Sequence, residues 1–403
     1  MTKKIMILGA SALQVPAIKK AKEMGYEVIS VDYDPDAVGF ELADVKLVVS
    51  TLDQEEVLRQ ARIYEPDVII TSTSDGPVRT AAYVNEKMGK QPDLAYKDSL
   101  CATIKSHMRN RLKECGVPIP QYFVVNNETE FMEAVQSIKG DMIVKPADNA
   151  GSRGVVLVKK DPVSGAVELQ DVSEVYTYSR SNSRNGIVMV EEFMEGEEVS
   201  VESMTVYGET TIITITDKMT TQPPYFVELG HAEPSRHPLE LQEKIKEITK
   251  QAVAAIRLQN GPSHTEIKLT KDGPKIVELA ARLGGDFITS RLVPLSTGVD
   301  MVGNSVVLAT GGEVDLTRKW NKGAAIRFIP GEKGTIRNIS IPRDVQESAG
   351  VEEIVLYKKT GDVVDGTKSS NDRLGHIIAT GATSQEAFAR ATDALNKIKV
   401  EYS

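Results

Sequence analysis

Cysteine is nearly absent. Cys101 and Cys115 are the only two, and their spacing makes neither a metal knuckle nor a redox pair. A disulfide framework is therefore excluded, and a reducing, cytoplasmic setting with free thiols is expected. Long apolar runs are missing as well. None approaches the roughly 20 residues that span a bilayer, so a soluble protein without a membrane partner is expected. Lys3 and Lys4 followed by an apolar stretch have the outline of a signal peptide. The stretch runs straight into Lys19, Lys20 and Lys22, however, and reads as strand, loop and helix. Basic excess is lacking: 48 Lys and Arg face 57 Asp and Glu, a net charge of −9 that argues against general nucleic-acid binding. Repeats and low-complexity segments are not found. The 41% hydrophobic and 26% charged residues are ordinary for a globular chain, and 403 positions allow roughly two to four domains.

Two familiar nucleotide motifs are also missing. Residues 1–100 alternate strand and helix signals: KIMIL (4–8), a helix from Val15, EVISVD (27–32), VKLVVS (45–50), a helix from Gln54, and DVIITS (67–72). This rhythm predicts a parallel sheet with helices on both faces. Gly9 after the first strand and Asp32 at the end of the second invite a dinucleotide reading. GASALQ lacks the spaced glycines of GxGxxG, which favours a Rossmann-like domain without nicotinamide. Further on, DMIVKPADNAGSRGVVLV (141–158) reads as a strand ending in Lys145, a loop, and a return strand. It is no Walker loop, which needs GxxxxGK[ST] before a helix. Its backbone N–H groups over Asp148–Gly154 can still close on an anion, although a plain surface hairpin has the same pattern.

Downstream, Ile187–Val190 reads as a strand with Glu191–Met194 as its end, and backbone groups at Glu192–Met194 could read the edge of a flat heterocycle. Glu198, past the Glu195-Gly196 turn, could hold a ribose hydroxyl; a solvated acidic turn fits the same residues. The stretch His264–Asp286, HTEIKLTKDGPKIVELAARLGGD, reads as a β-hairpin followed by a glycine-rich turn. A three-residue loop, Lys271–Gly273, sets Glu266 opposite Glu278 and Lys268 opposite Ile276. Ile267, Leu269, Val277 and Leu279 then share the apolar face. Facing carboxylates destabilise a ladder. A divalent cation held by one or two carboxylates plus substrate phosphates supplies a reason for them, and an exposed, solvated face is the plainer alternative. Arg282 and Gly284-Gly285 follow, a cation and tight backbone suited to stabilising charge on a reacting phosphoryl or acyl group. No general base is evident.

Four features thus stand in fixed order: Lys105, the Lys145–Gly154 loop, Glu191–Glu198, and Glu266…Glu278…Arg282. That order resembles the ATP-grasp superfamily of ADP-forming carboxylate–amine ligases. The resemblance covers essentially the whole chain and implies a fold that is α/β followed by α+β. A Rossmann-like domain (1–100) would precede an ATP-grasp module of two α+β lobes, a lid and nucleotide-binding lobe (101–205) and a Mg2+ and catalytic lobe (206–321). A small C-terminal α+β subdomain (322–403) would close the chain. Carried onto these residues, Lys105 and Lys145 would contact ATP phosphates under a cover of Gly151, Ser152 and Gly154. Glu191, Glu192, Phe193 and Met194 would meet adenine, Glu198 the ribose, and Glu266 with Glu278 would hold Mg2+ or Mn2+. The family often reads E-x-N-x-R where this chain has Glu278-Leu279-Ala280-Ala281-Arg282, so Ala280 removes one usual metal ligand.

Within the superfamily, VELGHAEPS (227–235), RLGGD (282–286) and the closing GAAIRFIPGEKG…R-x-G-x-I-I-A-x-G are most similar to L-amino-acid ligases, which make dipeptides. That likeness implies Glu228, His231, Gly284 and Gly285 near an amino-acid substrate, with Arg282 and Lys145 in catalysis. Small-molecule carboxylate and amine substrates are the expected partners, and a homodimer stays open. Phosphoribosylglycinamide synthetase ranks second and a biotin-carboxylase-like ligase third. A non-catalytic nucleotide sensor is the reading from a different class.

Overall fold

Four short apolar runs at the N-terminus, β1 (Lys4–Leu8), β2 (Glu27–Asp32), β3 (Val45–Val48) and β4 (Val68–Thr71), form a parallel sheet in the order β3-β2-β1-β4. Ile5, Met6, Ile7 and Leu8 are all fully buried, as expected for a central strand covered by helices on both faces. Asp32 accepts the N–H of Ala10 at 2.8 Å and that of Asp34 at 3.1 Å, so its carboxylate staples the first βα loop. The computed structural model describes residues 2–403 except 91–92, 149–153, 162–163, 165, 168–171 and 222–225. Among the described residues no single helix is long and apolar enough to cross a membrane.

A second sheet is antiparallel: β5 (Tyr122–Val125), β6 (Met142–Pro146), β7 (Val156–Val158) and β8 (Val188–Glu192) in the order β5-β8-β6-β7. Helices Glu128–Ser137 and Val172–Ser181 cover it, with Phe131, Val135 and Tyr176 in the shared core. Asn127 starts the first of these helices by accepting the N–H of Glu130, the standard side-chain cap.

The chain then changes sheets at Gly196, earlier than the boundary at 205 that the sequence suggests. Gly196 has φ +137°, and a Cβ there would lie 2.1 Å from the carbonyl oxygen of Leu269. Only glycine lets the backbone pass that strand so closely. The third sheet begins with β9 (Glu197–Val206), β10 (Glu209–Thr220), β11 (Glu228–Glu233), β12 (Gly261–Thr270), β13 (Gly273–Ala280) and β14 (Gly323–Ile329). The last five strands are β15 (Lys333–Ser340), β16 (Val351–Leu356), β17 (Val363–Asp365), β18 (Gly375–Gly381) and β19 (Lys399–Tyr402). Of these only β15, β17 and β19 form a small sheet of their own. β14, β18 and β16 extend the large one, which runs β13-β12-β9-β10-β11-β14-β18-β16. The segment from 322 is therefore continuous with the preceding lobe through backbone ladders.

One face of this sheet packs Val199, Val201, Ile215, Ile267, Ile276 and Leu279 against the helix Leu239–Ala255. The alternate positions, Ser200, Glu202, Thr216, Lys218, His264 and Glu266, face the other way, as the period of two requires. The β12–β13 turn differs from the expected one. Thr270 pairs with Gly273, so the loop has two residues, Lys271 and Asp272, and Lys268 sits opposite Lys275 rather than Ile276. A two-residue loop alone would throw Glu266 and Glu278 onto opposite faces. A bulge at Val277 restores them, and Glu266 pairs with Glu278 after all. The bulge also corrects the apolar face. Ile276 joins the core, while Val277 turns to the cleft described next.

Candidate active site

Between the second sheet and the polar face of the large sheet lies a cleft of about 500 Å³. Its cations come first. Lys145 ends β6, and its Nζ lies 2.7 Å from Glu191 on the neighbouring β8. The same carboxylate takes a two-pronged contact from Arg109, at 2.8 and 3.0 Å, and Arg109 also donates to the carbonyls of Ile276 and Val277. Arg109 and Glu191 are buried. Burial alone would raise the Glu191 carboxyl, but the two cations overcome it and hold it at about 2. Lys145 is pushed down by its own burial and then by the repulsion of Arg109 and Lys105, with Glu191 only partly compensating. Two cations share one anion here, so the group carries a surplus positive charge that suits an anionic ligand.

A second wall alternates acids and amines. Lys218 on β10 lies 2.5 Å from Glu198, 3.0 Å from Glu266 and 3.9 Å from Glu228. Lys268 reaches the other oxygen of Glu198 at 3.2 Å. Burial opposes the Lys218 charge, but the three carboxylates raise its pKa well above the ordinary value. Glu278 is met by Lys105 Nζ at 2.9 Å. Behind Glu266, His264 Nδ1 contacts Glu202 at 2.6 Å, and its Nε2 lies 3.6 Å from Glu266. Burial would lower this imidazole, yet the Glu202 charge and hydrogen bond, helped by Glu266, carry it to about 9. Gly284 leaves room for that pair: a Cβ would stand 2.7 Å from Glu202 Oε2 and 2.8 Å from His264 Nδ1.

The far end is built by the loop after β13. Arg282 Nε donates to Asp75 at 2.6 Å, and the Leu283 N–H donates to the Ser72 carbonyl, which docks the loop on the first domain. Asp286 and Phe287 have φ of 50° and 63°, left-handed values that are costly for a bulky residue and tend to occur at functional sites. Asp286 meets His231 Nε2 at 3.2 Å and Arg373 Nη1 at 3.0 Å. Against its burial, those two partners hold the carboxyl at about 2. Arg373 stacks over the Phe328 ring at 3.8 Å and lies 3.7 Å from Glu228, which also accepts from Ser370.

The structure therefore brings Lys105, Lys145, Glu191, Glu198, Glu228, His231, Glu266, Glu278, Arg282 and Gly285 to one cleft. The Glu191 carboxylate is committed to Arg109 and Lys145, and the strand end Glu192–Met194 lines the cleft beside it. Phe193 stands there with its ring 6.2 Å from that of Phe226, and Glu192 is held by Lys275 at 3.3 Å. Gly151 and Ser152 lie outside the described residues. Gly154, at φ +77°, has no room for a side chain against Asn182 and Pro146. Sequence reasoning missed Arg109, Lys218, His264, Asp286 as a paired acid, and Arg373. Among the described residues no three His, Cys, Asp or Glu side chains gather as a metal cage. Glu266 and Glu278, opposed on one ladder, instead fit an ion that takes one or two carboxylates and completes its shell with phosphate oxygens and water.

Comparison with known proteins follows the same lines. A family model for the ATP-grasp domain matches residues 138–290, and one for the L-amino acid ligase C-terminal domain 2 matches residues 327–403. An uncharacterized Sinorhizobium fredii protein, y4rH, is 28% identical over 70% of this chain, and the chain spans only 58% of its length. The L-arginine-specific L-amino acid ligase of Bacillus subtilis is 25% identical over 76% of this chain and 74% of its own. Among solved structures, an L-amino acid ligase from Bacillus licheniformis superposes with a TM-score of 0.83 over the whole of both chains at 19% identity. At that identity the likeness speaks for the fold.

Proposed function

From the premise that this chain carries an ATP-grasp domain followed by an L-amino acid ligase C-terminal domain, we propose that it is an ADP-forming ligase. It would join the carboxylate of an amino acid to an amine. The observation that carries this reading is the polarity of this cleft. Lys105 and Lys145 make one end cationic, suited to a triphosphate. At the other end Glu228 and Asp286 face Arg373, and His231 bonds to Asp286, an arrangement suited to a zwitterion. In such a reaction the substrate carboxylate takes the γ-phosphoryl group of ATP, giving an acylphosphate and ADP. The amine then attacks the acyl carbon, and inorganic phosphate leaves.

The residues have separable tasks in that scheme. Lys145, kept in place by Glu191, and Lys105 would hold phosphate oxygens and offset charge as it moves. Phe193 and Phe226 would flank the base. Arg282, braced by Asp75, would steady the charged acyl intermediate. Glu266 and Glu278 would hold Mg2+, which when bound neutralises phosphate charge. Closure of the lid sheet would exclude water from the acylphosphate. The test is ADP and phosphate release from ATP and Mg2+ with pairs of amino acids, with phosphoribosylamine plus glycine, and with bicarbonate. Amino-acid pairs should give ADP and a dipeptide detectable by mass spectrometry. Turnover only with phosphoribosylamine and glycine would replace this reading with the purine one. Nucleotide binding without any substrate-dependent ADP release would point to a sensor.

A further inference from the structure

The large sheet ends in an open edge. Among the described residues β18 is the only strand partner of β16, and Val355, Leu356 and Tyr357 along it are 39%, 37% and 44% exposed. An exposed apolar edge with unpaired backbone groups is a template for another strand. We propose that this edge pairs antiparallel with β16 of a second copy of the chain, joining two large sheets into one across a two-fold axis. The proposal does not depend on the ligase reading.

Two independent features of the strand fit a second copy. The first is its charge order, VEEIVLYKK over 351–359, acidic at the start and basic at the end. Laid antiparallel on itself about Val355, it sets Ile354 against Leu356, Glu353 against Tyr357, and Glu352 against Lys358. Opposite charges and apolar pairs then meet directly across the ladder, the arrangement that stabilises paired strands.

The second feature is which backbone groups are free. Val355 pairs with His376 on β18, and the Tyr357 N–H donates to the Leu374 carbonyl at 2.8 Å. Bonded positions alternate along an antiparallel ladder. Glu353, Val355 and Tyr357 therefore turn their N–H and C=O toward β18, while Ile354 and Leu356 turn theirs outward. A two-fold axis through Val355 places the free groups of Ile354 opposite those of Leu356, so the two copies complete each other's bonds. Shifting the axis by one residue, to Leu356, would ask Glu353 to meet Lys359. Glu353 is already taken by His376 at 2.8 Å and Arg291 at 2.9 Å, which favours the Val355 register. There Glu352, at the bulge between Val351 and Glu353, accepts from Thr380 Oγ1 at 2.7 Å through one oxygen and would offer the other to Lys358.

Sedimentation velocity on the full chain, over a dilution series, tests the idea. The wild type should show a reversible monomer–dimer equilibrium. Leu356→Pro removes an N–H that the monomer does not use, and proline is tolerated at such outward edge positions. It should leave the thermal melt of the monomer in place and abolish the dimer. Lys358→Glu sets like charges face to face twice per dimer and should weaken association by about tenfold or more. Glu352→Lys combined with Lys358→Glu should restore it. Should the proline variant fail to fold, the charge swap carries the decision. A wild type that stays monomeric throughout overturns the proposal. So does a dimer indifferent to Lys358→Glu, or a charge swap that fails to recover it.

Discussion

Replacing Glu191 by Gln should cost the protein about 3 kcal/mol of stability, because it keeps the shape of the side chain and removes the one anion between two buried cations. The magnitude follows from the structure in two ways. Arg109 and Lys145, acting against burial, bring the Glu191 carboxyl from 4.5 to about 2. At roughly 1.4 kcal/mol per pH unit that is ~3 kcal/mol. Independently, deleting one partner of a buried ion pair costs about 3–5 kcal/mol, since the remaining charge is left uncompensated. A depressed folded-state pKa stabilises above the unfolded value, so this contribution is complete above pH 4.5 and fades as pH falls through about 2. Urea unfolding by circular dichroism at neutral pH should show the loss, and hydrogen exchange should locate it along β6 and β8. Adding Lys145→Met to Glu191→Gln removes one orphaned cation, so the double variant should recover part of the loss. A loss under about 1 kcal/mol, or losses that simply add, would refute the shared-anion account.

Three further outcomes can be checked. Lys145→Ala should keep the circular dichroism of the wild type and lower substrate-dependent ADP release by about 10²-fold or more, the scale for removing a group that offsets transition-state charge. Glu278→Gln should weaken the Mg2+ dependence of turnover. Its metal-free form should also lose about 1 kcal/mol in thermal or urea melts, because Lys105 at 2.9 Å loses its charged acceptor; an unchanged Mg2+ titration would sink the shared-cation assignment. Glu233 is buried between Ser296 and Thr216, and burial raises it to about 8 despite those two hydrogen bonds. The folded state therefore binds the extra proton, and stability should fall as pH rises from 4.5 to about 8, at up to about 1.4 kcal/mol per pH unit. Glu233→Gln should flatten that slope in urea titrations.

Much of the frame was legible. The N-terminal parallel sheet followed from four apolar runs spaced by helices, and the antiparallel pair in the second sheet from the Lys145 strand and its return. The opposition of Glu266 and Glu278 was reached, although by another route. A three-residue turn predicts it directly, whereas the protein uses a two-residue turn and then undoes the shift with a bulge at Val277. Periodicity gave the right pair because both routes displace the register equally. It then misplaced Ile276 and Val277, which lie between the turn and the bulge. The sheet boundary at Gly196 escaped notice because its cause, the close passage of Leu269, lies in another strand.

The residues that were missed share one reason. Arg109 finds Glu191 82 positions away, Arg373 finds Asp286 87 away, and Lys218 finds Glu266 48 away. Nothing near any of them in sequence marks it as different from a surface cation. A signal existed nonetheless in the alternation of β9, β10 and β12. Apolar residues fall on one face, and Ser200 and Glu202, Thr216 and Lys218, His264 and Glu266 on the other. Such a pattern is normally taken to mean a sheet with one face in water. Yet Ser200, Glu202 and Thr216 are fully buried, and the Lys218 side chain is only 4% exposed. Alternation tells which residues share a face; it does not tell whether solvent or a ligand covers that face. What distinguishes the two is charge composition across strands. A solvated face mixes acids, amides and lysines without regard to neighbours, whereas this one places Lys218 among Glu198, Glu228 and Glu266 and sets His264 between Glu202 and Glu266. Each buried charge has an opposite partner contributed by a different strand, as desolvation requires. The pairing could have been found only by laying the strands side by side in register, which is the information that the fold adds to the sequence.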